Sequence, residues 1–361
     1  MITDSLKLTT YFGERHRTDH GLVADDLLDL YGQRMVEVSL LLRGVEGFGL
    51  KHRLRTDRLL TLSEDLPVVS IAVDTRERIT ALLDEVMNIK RHGLVTLERA
   101  HLLTEDIDAV ELPEGPHEAT KLTLYVGRQE HVQGQPAFMW ICDLLHRRQI
   151  AGATVLLGVD GTLRGQRARA RFFGRNANVP LMIIAVGSGV QITAVLPELA
   201  GLLRHPVFTV ERVRVLKRDG KLLSRPREIA DTDPSGLPVW QKLMVYTSEQ
   251  AKYHGSPIHV ALVRALREQG AAGATSIRGI WGFHGDHAPH GDRLLQLRRH
   301  VPVVTVVIDS PKRIGVAFDV IDELTRDTGL VTGELVPAAA EVQGGTTTRP
   351  FKLARTDPSR P

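Results

Sequence analysis

Residues 120–128 read TKLTLYVGR, and close versions stand at residues 6–14 (LKLTTYFGE) and 241–249 (QKLMVYTSE). The tyrosines Tyr11, Tyr125 and Tyr246 are 114 and 121 residues apart. Gly44, Gly158 and Gly279 keep those two spacings, and Pro67, Pro180 and Pro302 follow within one residue of them. Glu98, Glu211 and Glu334 close each copy. Landmarks held in step over this distance mark an internal repeat. The units are residues 6–103, 120–216 and 241–338, followed by a tail over 339–361.

Each unit carries the same succession of periods. KLTLYVG alternates apolar and polar residues, which predicts a strand. Phe138, Ile141, Leu144 and Leu145 then recur at helical spacing. Pro136 and Pro257 suit a first helical turn, where the missing N–H has no partner in any case. Strand two follows AGAT in units two and three. A nearly all-apolar third strand (VVSIAV, LMIIAV, VVTVVI) suits a sheet centre covered on both faces. A second helix and a fourth strand end the unit, and Pro197 is expected to kink or shorten that helix in unit two. The order βαββαβ is the ferredoxin-like split unit, an α+β class. Such a sheet has helices on one face only. Alternating apolar residues (Leu122, Leu124, Val126; Val155, Leu157) suggest that three bare faces pack around a common axis.

Composition bounds the rest. The 361 residues are 42% hydrophobic and 25% charged, with a formal net charge of only +3. Affinity for anions must therefore come from local clusters. Cys142, the single cysteine, sits in the apolar stretch AFMWICDLL and reads as an inert core residue. The N-terminus lacks a signal pattern, and no run approaches the ~18 apolar residues of a membrane span, so a cytoplasmic location is expected. Linkers of 16 and 24 residues are long enough to cross between units. The tail has no periodicity and is expected to be disordered.

Between strands two and three each unit carries a glycine-rich arm. In unit one Arg43, Gly44, Gly47 and Gly49 precede Lys51, Arg53 and Arg55, which share one side of an extended segment. Backbone N–H groups at such glycines can cradle an anion; equally, they can simply build the turn into the arm. Unit two has Gly158, Gly161, Arg164, Arg167, Arg169 and Arg171, a basic stripe that is either an anion contact or a solvated edge. Unit three keeps Arg278, Gly279 and Gly282 but trades the stripe for His284, His287 and His290. Those histidines, with Asp286 and Asp292, are either candidate ligands of a divalent metal or part of a polar mobile loop, which Pro289 favours.

KLT-x-Y-x-G, AGAT, RG-x-x-GFG and LSEDLPVV together resemble domain-of-unknown-function family 190, which is similar in fold to the nitrogen-regulatory PII signalling proteins. The resemblance spans nearly all of the chain outside linkers and tail. It implies PII-like units forming an intramolecular pseudo-trimer, with ligand clefts between units and a mobile arm that touches partners. It also implies that Arg99, Arg212 and Arg214 on the last strands can reach phosphates; from the residues alone they read equally as surface arginines of a strand. The implied ligand is an adenine nucleotide: ATP, ADP, AMP or a cyclic nucleotide. The implied partner is a membrane channel or transporter of the fluoride or camphor-resistance kind. A metal-tolerance protein using the unit-three histidines is the alternative. The residues offer no triad, no paired carboxylates and no cofactor fingerprint, so no enzyme is expected. Third strands without aromatics argue against a nucleic-acid partner.

Overall fold

A computed structural model describes residues 2–49, 52–57, 65–90, 92–104, 118–167, 179–284, 289–291, 301–343, 346–347 and 351–355. Unit one runs β1 (Ile2–Gly13), α1 (Val23–Gln33), β2 (Val38–Arg43), β3 (Glu46–Phe48), β4 (Pro67–Thr75), α2 (Arg76–Ile89) and β5 (His92–Leu103). Unit two repeats this as β6 (Glu118–Gly127), α3 (Ala137–Arg147), β7 (Gly152–Leu157), β8 (Asp160–Leu163), β9 (Pro180–Gly187), α4 (Gly189–Leu202) and β10 (Phe208–Arg218). Unit three follows with β11 (Trp240–Ser248), α5 (Ile258–Glu268), β12 (Ala274–Arg278), β13 (Trp281–His284), β14 (Pro302–Asp309), α6 (Pro311–Leu324) and β15 (Leu330–Val336), and then β16 (Ala338–Gln343). The protein is thus a mixed α+β chain with six helices and one large antiparallel sheet among the described residues.

Local chemistry sets the helix starts. Thr75 accepts from the Arg78 N–H at the head of α2, and Ser188 forms a capping box with Gln191 at α4. Pro136 and Pro257 stand at the cap positions of α3 and α5, one residue ahead of the first turn. Pro197 does not shorten α4, which has the same 14 residues as α2 and α6. Packing of Ile192, Val195, Leu196 and Leu199 into the unit-two core offsets the lost N–H.

In every unit the first strand lies between the third and fourth, and the second strand flanks the third. The units then close on one another. β3 pairs with β12, β8 with β2, and β13 with β7, so each arm base joins the second strand of a neighbour. The last strands form a second cycle. The end of β5 pairs with the start of β10, the end of β10 with β15, and β16 with the start of β5.

The expected shared face is present, but other residues make it. Leu122, Leu124, Val126 and Val155 pack under the unit-two helices, and Leu157 lies against that same core. Lys121, Thr123 and Tyr125 occupy the opposite side, because side chains alternate across a strand. The face common to all units is built from Val69, Ile71, Met182, Ile184, Val304 and Val306, with Tyr125 and Tyr246.

The described part of the tail also departs from expectation. Residues 338–343 form β16, Ala354 N–H donates to Pro337 O, and Phe351 and Leu353 pack on the unit-one core. The free edge of β5 offers unpaired backbone groups, and this segment satisfies them. Cys142 is buried, and burial pushes its thiol up. Among the described residues no helix is long and apolar enough to cross a membrane.

Candidate functional site

Where the three first strands meet, Lys7, Lys121 and Lys242 alternate with Glu98, Glu211 and Glu334. Lys7 Nζ lies 3.2 Å from Glu98, Lys121 Nζ 3.2 Å from Glu211 and 2.5 Å from Glu334, and Lys242 Nζ 2.8 Å from Glu334. Contacts of Lys7 with Glu211 and of Lys242 with Glu98 close the ring. Each lysine thus bridges the glutamate of its own unit and that of another. None of the six side chains is more than 5% exposed. Burial pushes the Glu98 carboxyl up, but Lys242, Lys7 and Lys121 overcome this and hold it below its ordinary value. Burial pulls the Lys7 ammonium down, and Glu211 and Glu98 reverse that shift. Burial prevails at Lys121, which is held below its ordinary value. The three carboxylates are close enough to hold an ion. Three lysines supply the matching charge within the same ring.

A cleft of about 510 Å³ opens at the seam of units one and three. The unit-one arm contributes Phe48, Gly49, Arg53 and Arg55 to its lining, and unit three contributes Ala272–Thr275 and Trp240. Glu341 and Val342 of β16 also line it. Arg55 pairs with Asp65 at 2.8 Å and approaches His16 Nε2 at 3.4 Å. Burial, reinforced by Arg55, lowers His16 to about 4, so this ring is neutral at pH 7. His92 meets His16 edge to face, with ring centroids 6.1 Å apart. Beneath them Lys90 donates to Tyr11 O at 2.7 Å and Leu94 O at 3.0 Å, and burial holds its ammonium well below its usual range. The buried Trp240 Nε1 has no hydrogen-bond partner among the described residues.

The glycines read as an anion cradle divide. Gly49 lines this cleft with nothing within 4 Å of where a side chain would start. Gly44, Gly47, Gly158, Gly161, Gly279 and Gly282 instead lie against backbone of a neighbouring unit or of the following proline. A Cβ on Gly161 would sit 2.2 Å from Ser39 O, and one on Gly47 2.6 Å from Ala274 O. Their N–H neighbourhood is also used: Val45 donates to Ser276 O, Val159 to Leu41 O and Ile280 to Val155 O. The repeated spacing of these glycines is therefore spent on close strand contact between units.

The basic residues divide as well. Arg53 and Arg55 reach the cleft, whereas Arg43 pairs with Glu14 at 3.0 Å and Arg278 with Glu249 at 2.7 Å. Arg164 sits in a turn whose N–H donates to Glu37 O. Arg99, Arg212 and Arg214 come together, but in a different cavity of about 470 Å³. Lys51, Arg169, Arg171 and His287 lie outside the described residues, as do the side chains of Arg167 and His290. His284 sits on β13 opposite Gly152. The residues missed from sequence are the ring lysines and the cleft residues His16, His92, Trp240 and Glu341. Repetition of lysine in phase with the closing glutamates was the available signal for the ring.

These features define an α+β protein of three tandem repeats locked by a buried charge ring. The chain belongs to the family DUF190, described as "Uncharacterized ACR", whose model matches residues 5–102, 119–215 and 240–338. It is similar to a UPF0166 protein of Aquifex aeolicus (strain VF5), with 35% identity over 72 residues, 20% of this chain and 69% of the relative. One solved structure, CrmK, a flavoenzyme involved in shunt product recycling in caerulomycin biosynthesis, aligns over 81% of this chain and 56% of its own length. Its identity of 14% and TM-score of 0.20 carry no argument about fold or chemistry.

Proposed function

We propose that this is a non-enzymatic regulatory protein of the PII-like kind, with three ferredoxin-like units closed into an intramolecular pseudo-trimer. It binds an adenine nucleotide in the cleft between units one and three. The observation that carries this reading is the shared lining: Arg53 and Arg55 of the unit-one arm and Trp240 and Gly273 of unit three border one cavity. Its volume of about 510 Å³ falls in the range of small-molecule sites. Arginines suit phosphate oxygens, and the aromatic lining with the Trp240 N–H suits a purine. A ligand there touches the arm directly. It fixes the arm in one contact surface, a recognised kind of switch. The protein acts in the cytoplasm, and the ordered arms engage a membrane channel or transporter.

Calorimetry and thermal shift with ATP, ADP, AMP and cyclic AMP test this. At a ligand concentration 100 times Kd, binding raises stability by about 2.7 kcal/mol. Arg53→Gln, at an exposed position, weakens the binding nucleotide tenfold or more without lowering the melting temperature of the free protein. Absence of heat and of shift with all four compounds rules the nucleotide reading out.

A further inference from the structure

Each ring lysine carries one hydrogen more than the ring uses. An ammonium has three N–H donors and no acceptor. Lys7 faces Glu98 and Glu211, Lys121 faces Glu211 and Glu334, and Lys242 faces Glu98 and Glu334. Among the described residues these carboxylates are the only acceptors of the three groups. With two partners apiece, each ammonium keeps a third N–H out of reach of bulk water, where an unmet donor is costly.

The three lysines line one small cavity of about 40 Å³. The carboxylates do not follow them. Glu98 alone of the three lines that cavity, whereas Glu211 and Glu334 line the cavity of about 470 Å³, which no ring lysine borders among the described residues. The ring is neutral as a whole, yet three ammoniums and one carboxylate face the small cavity. Burial holds Lys121 below its ordinary value in spite of Glu211 and Glu334, so its charge is incompletely compensated. Val69, Ile71, Met182, Ile184, Val304 and Val306 make most of the remaining wall. A water oxygen accepts from two N–H groups, whereas a halide ion accepts from all three and asks nothing of an apolar wall. The volume of about 40 Å³ admits a monatomic ion, but it is far below the 510 Å³ of the arm-side cleft and excludes phosphates and nucleotides.

We infer that this cavity is a halide site, in which one chloride or bromide ion accepts from Lys7, Lys121 and Lys242 together and so ties the first strands of all three units to one another. It goes beyond the nucleotide reading and stands without it, since no described arm residue lines the cavity.

Thermal melts of the full chain in sodium chloride or bromide, set against sodium gluconate at equal ionic strength, test the site with screening held constant. The halides raise the melting temperature along a saturating curve, as binding to the folded state requires, while gluconate is too large to enter and does not. Val304→Ile adds one methylene to the cavity wall, leaves the ring intact and abolishes the halide-specific rise. Crystals of the parent chain soaked in sodium bromide show one anomalous peak per chain within hydrogen-bond reach of the three ammoniums. Equal melting in halide and gluconate overturns the proposal. So does a full halide rise in Val304→Ile, and so does a water molecule in place of bromide between the ammoniums. No nucleotide enters these measurements, so this site and the arm-side cleft fail separately.

Discussion

Lys121 Nζ lies 2.5 Å from Glu334 Oε2, although 213 residues of chain separate them. The pair joins unit two to unit three at the centre of the molecule, out of water. Breaking a buried pair by removing one partner leaves an unmatched charge and costs about 3–5 kcal/mol. Lys121→Met is therefore expected to lower stability to urea by about that amount. Adding Glu334→Leu restores neutrality, and the double variant loses less than the sum of the singles by about 0.5–3 kcal/mol. Equilibrium unfolding of the four chains measures this. Strictly additive losses would remove the ring from the account of how the units lock.

Acid stability carries a signature from two places. Glu98 and Glu334 are held below the carboxylate value of 4.5 in the folded chain: burial raises both, and the ring lysines more than reverse it. Their contribution is complete above that pH and is lost as pH falls from it towards their lower folded values. His16 is lowered from 6.5 to about 4 by burial and Arg55. Between those values the unfolded chain takes up a proton that the folded chain refuses, so stability falls as pH drops from about 6.5 towards 4. Urea midpoints from pH 8 to pH 3 are expected to show this shallow limb first and a steeper one below 4.5. His16→Gln removes the first limb and leaves the second.

The seam glycines give a steric prediction. The Cβ of Gly161→Ala would press on Ser39 O at 2.2 Å, a backbone atom held in the β8–β2 pairing. Overpacking of this kind costs about 1–3 kcal/mol. Gly49→Ala, with open space around it, is expected to stay within about 0.5 kcal/mol of the parent. Paired thermal melts compare them, and equal losses would contradict the seam assignment.

Truncation after Pro337 removes β16, including Val342, which is 0% exposed, and Glu341 of the arm-side cleft. The shortened chain bares the edge of β5 and is expected to self-associate, read by light scattering after size-exclusion chromatography. It also loses nucleotide affinity. A monomeric truncated chain with full affinity would leave the tail strand without a role.

The repeat and its element order were legible because Tyr, Gly, Pro and Glu recur at fixed phase. Each serves a contact that every unit makes. The function of the shared landmarks was harder to read. Gly44 and Gly161 look like an anion loop until a neighbouring backbone is seen beside them, and that neighbour comes from a distant part of the chain. The KLT lysines look like polar positions on a solvated face, because Lys121 finds its carboxylates only when the last strands of units two and three converge. Residues 338–343 lack any pattern of their own since their order is borrowed from the edge of β5. His16 and Trp240 carry no repeat signal at all; they are what makes one seam unlike the others.

The two closed cycles of strand pairing have a genetic consequence. In an assembly of identical subunits a single codon change is felt at every contact at once. Here it alters one junction and leaves the other two as they were. Each seam can therefore change independently of the other two, which identical subunits do not permit.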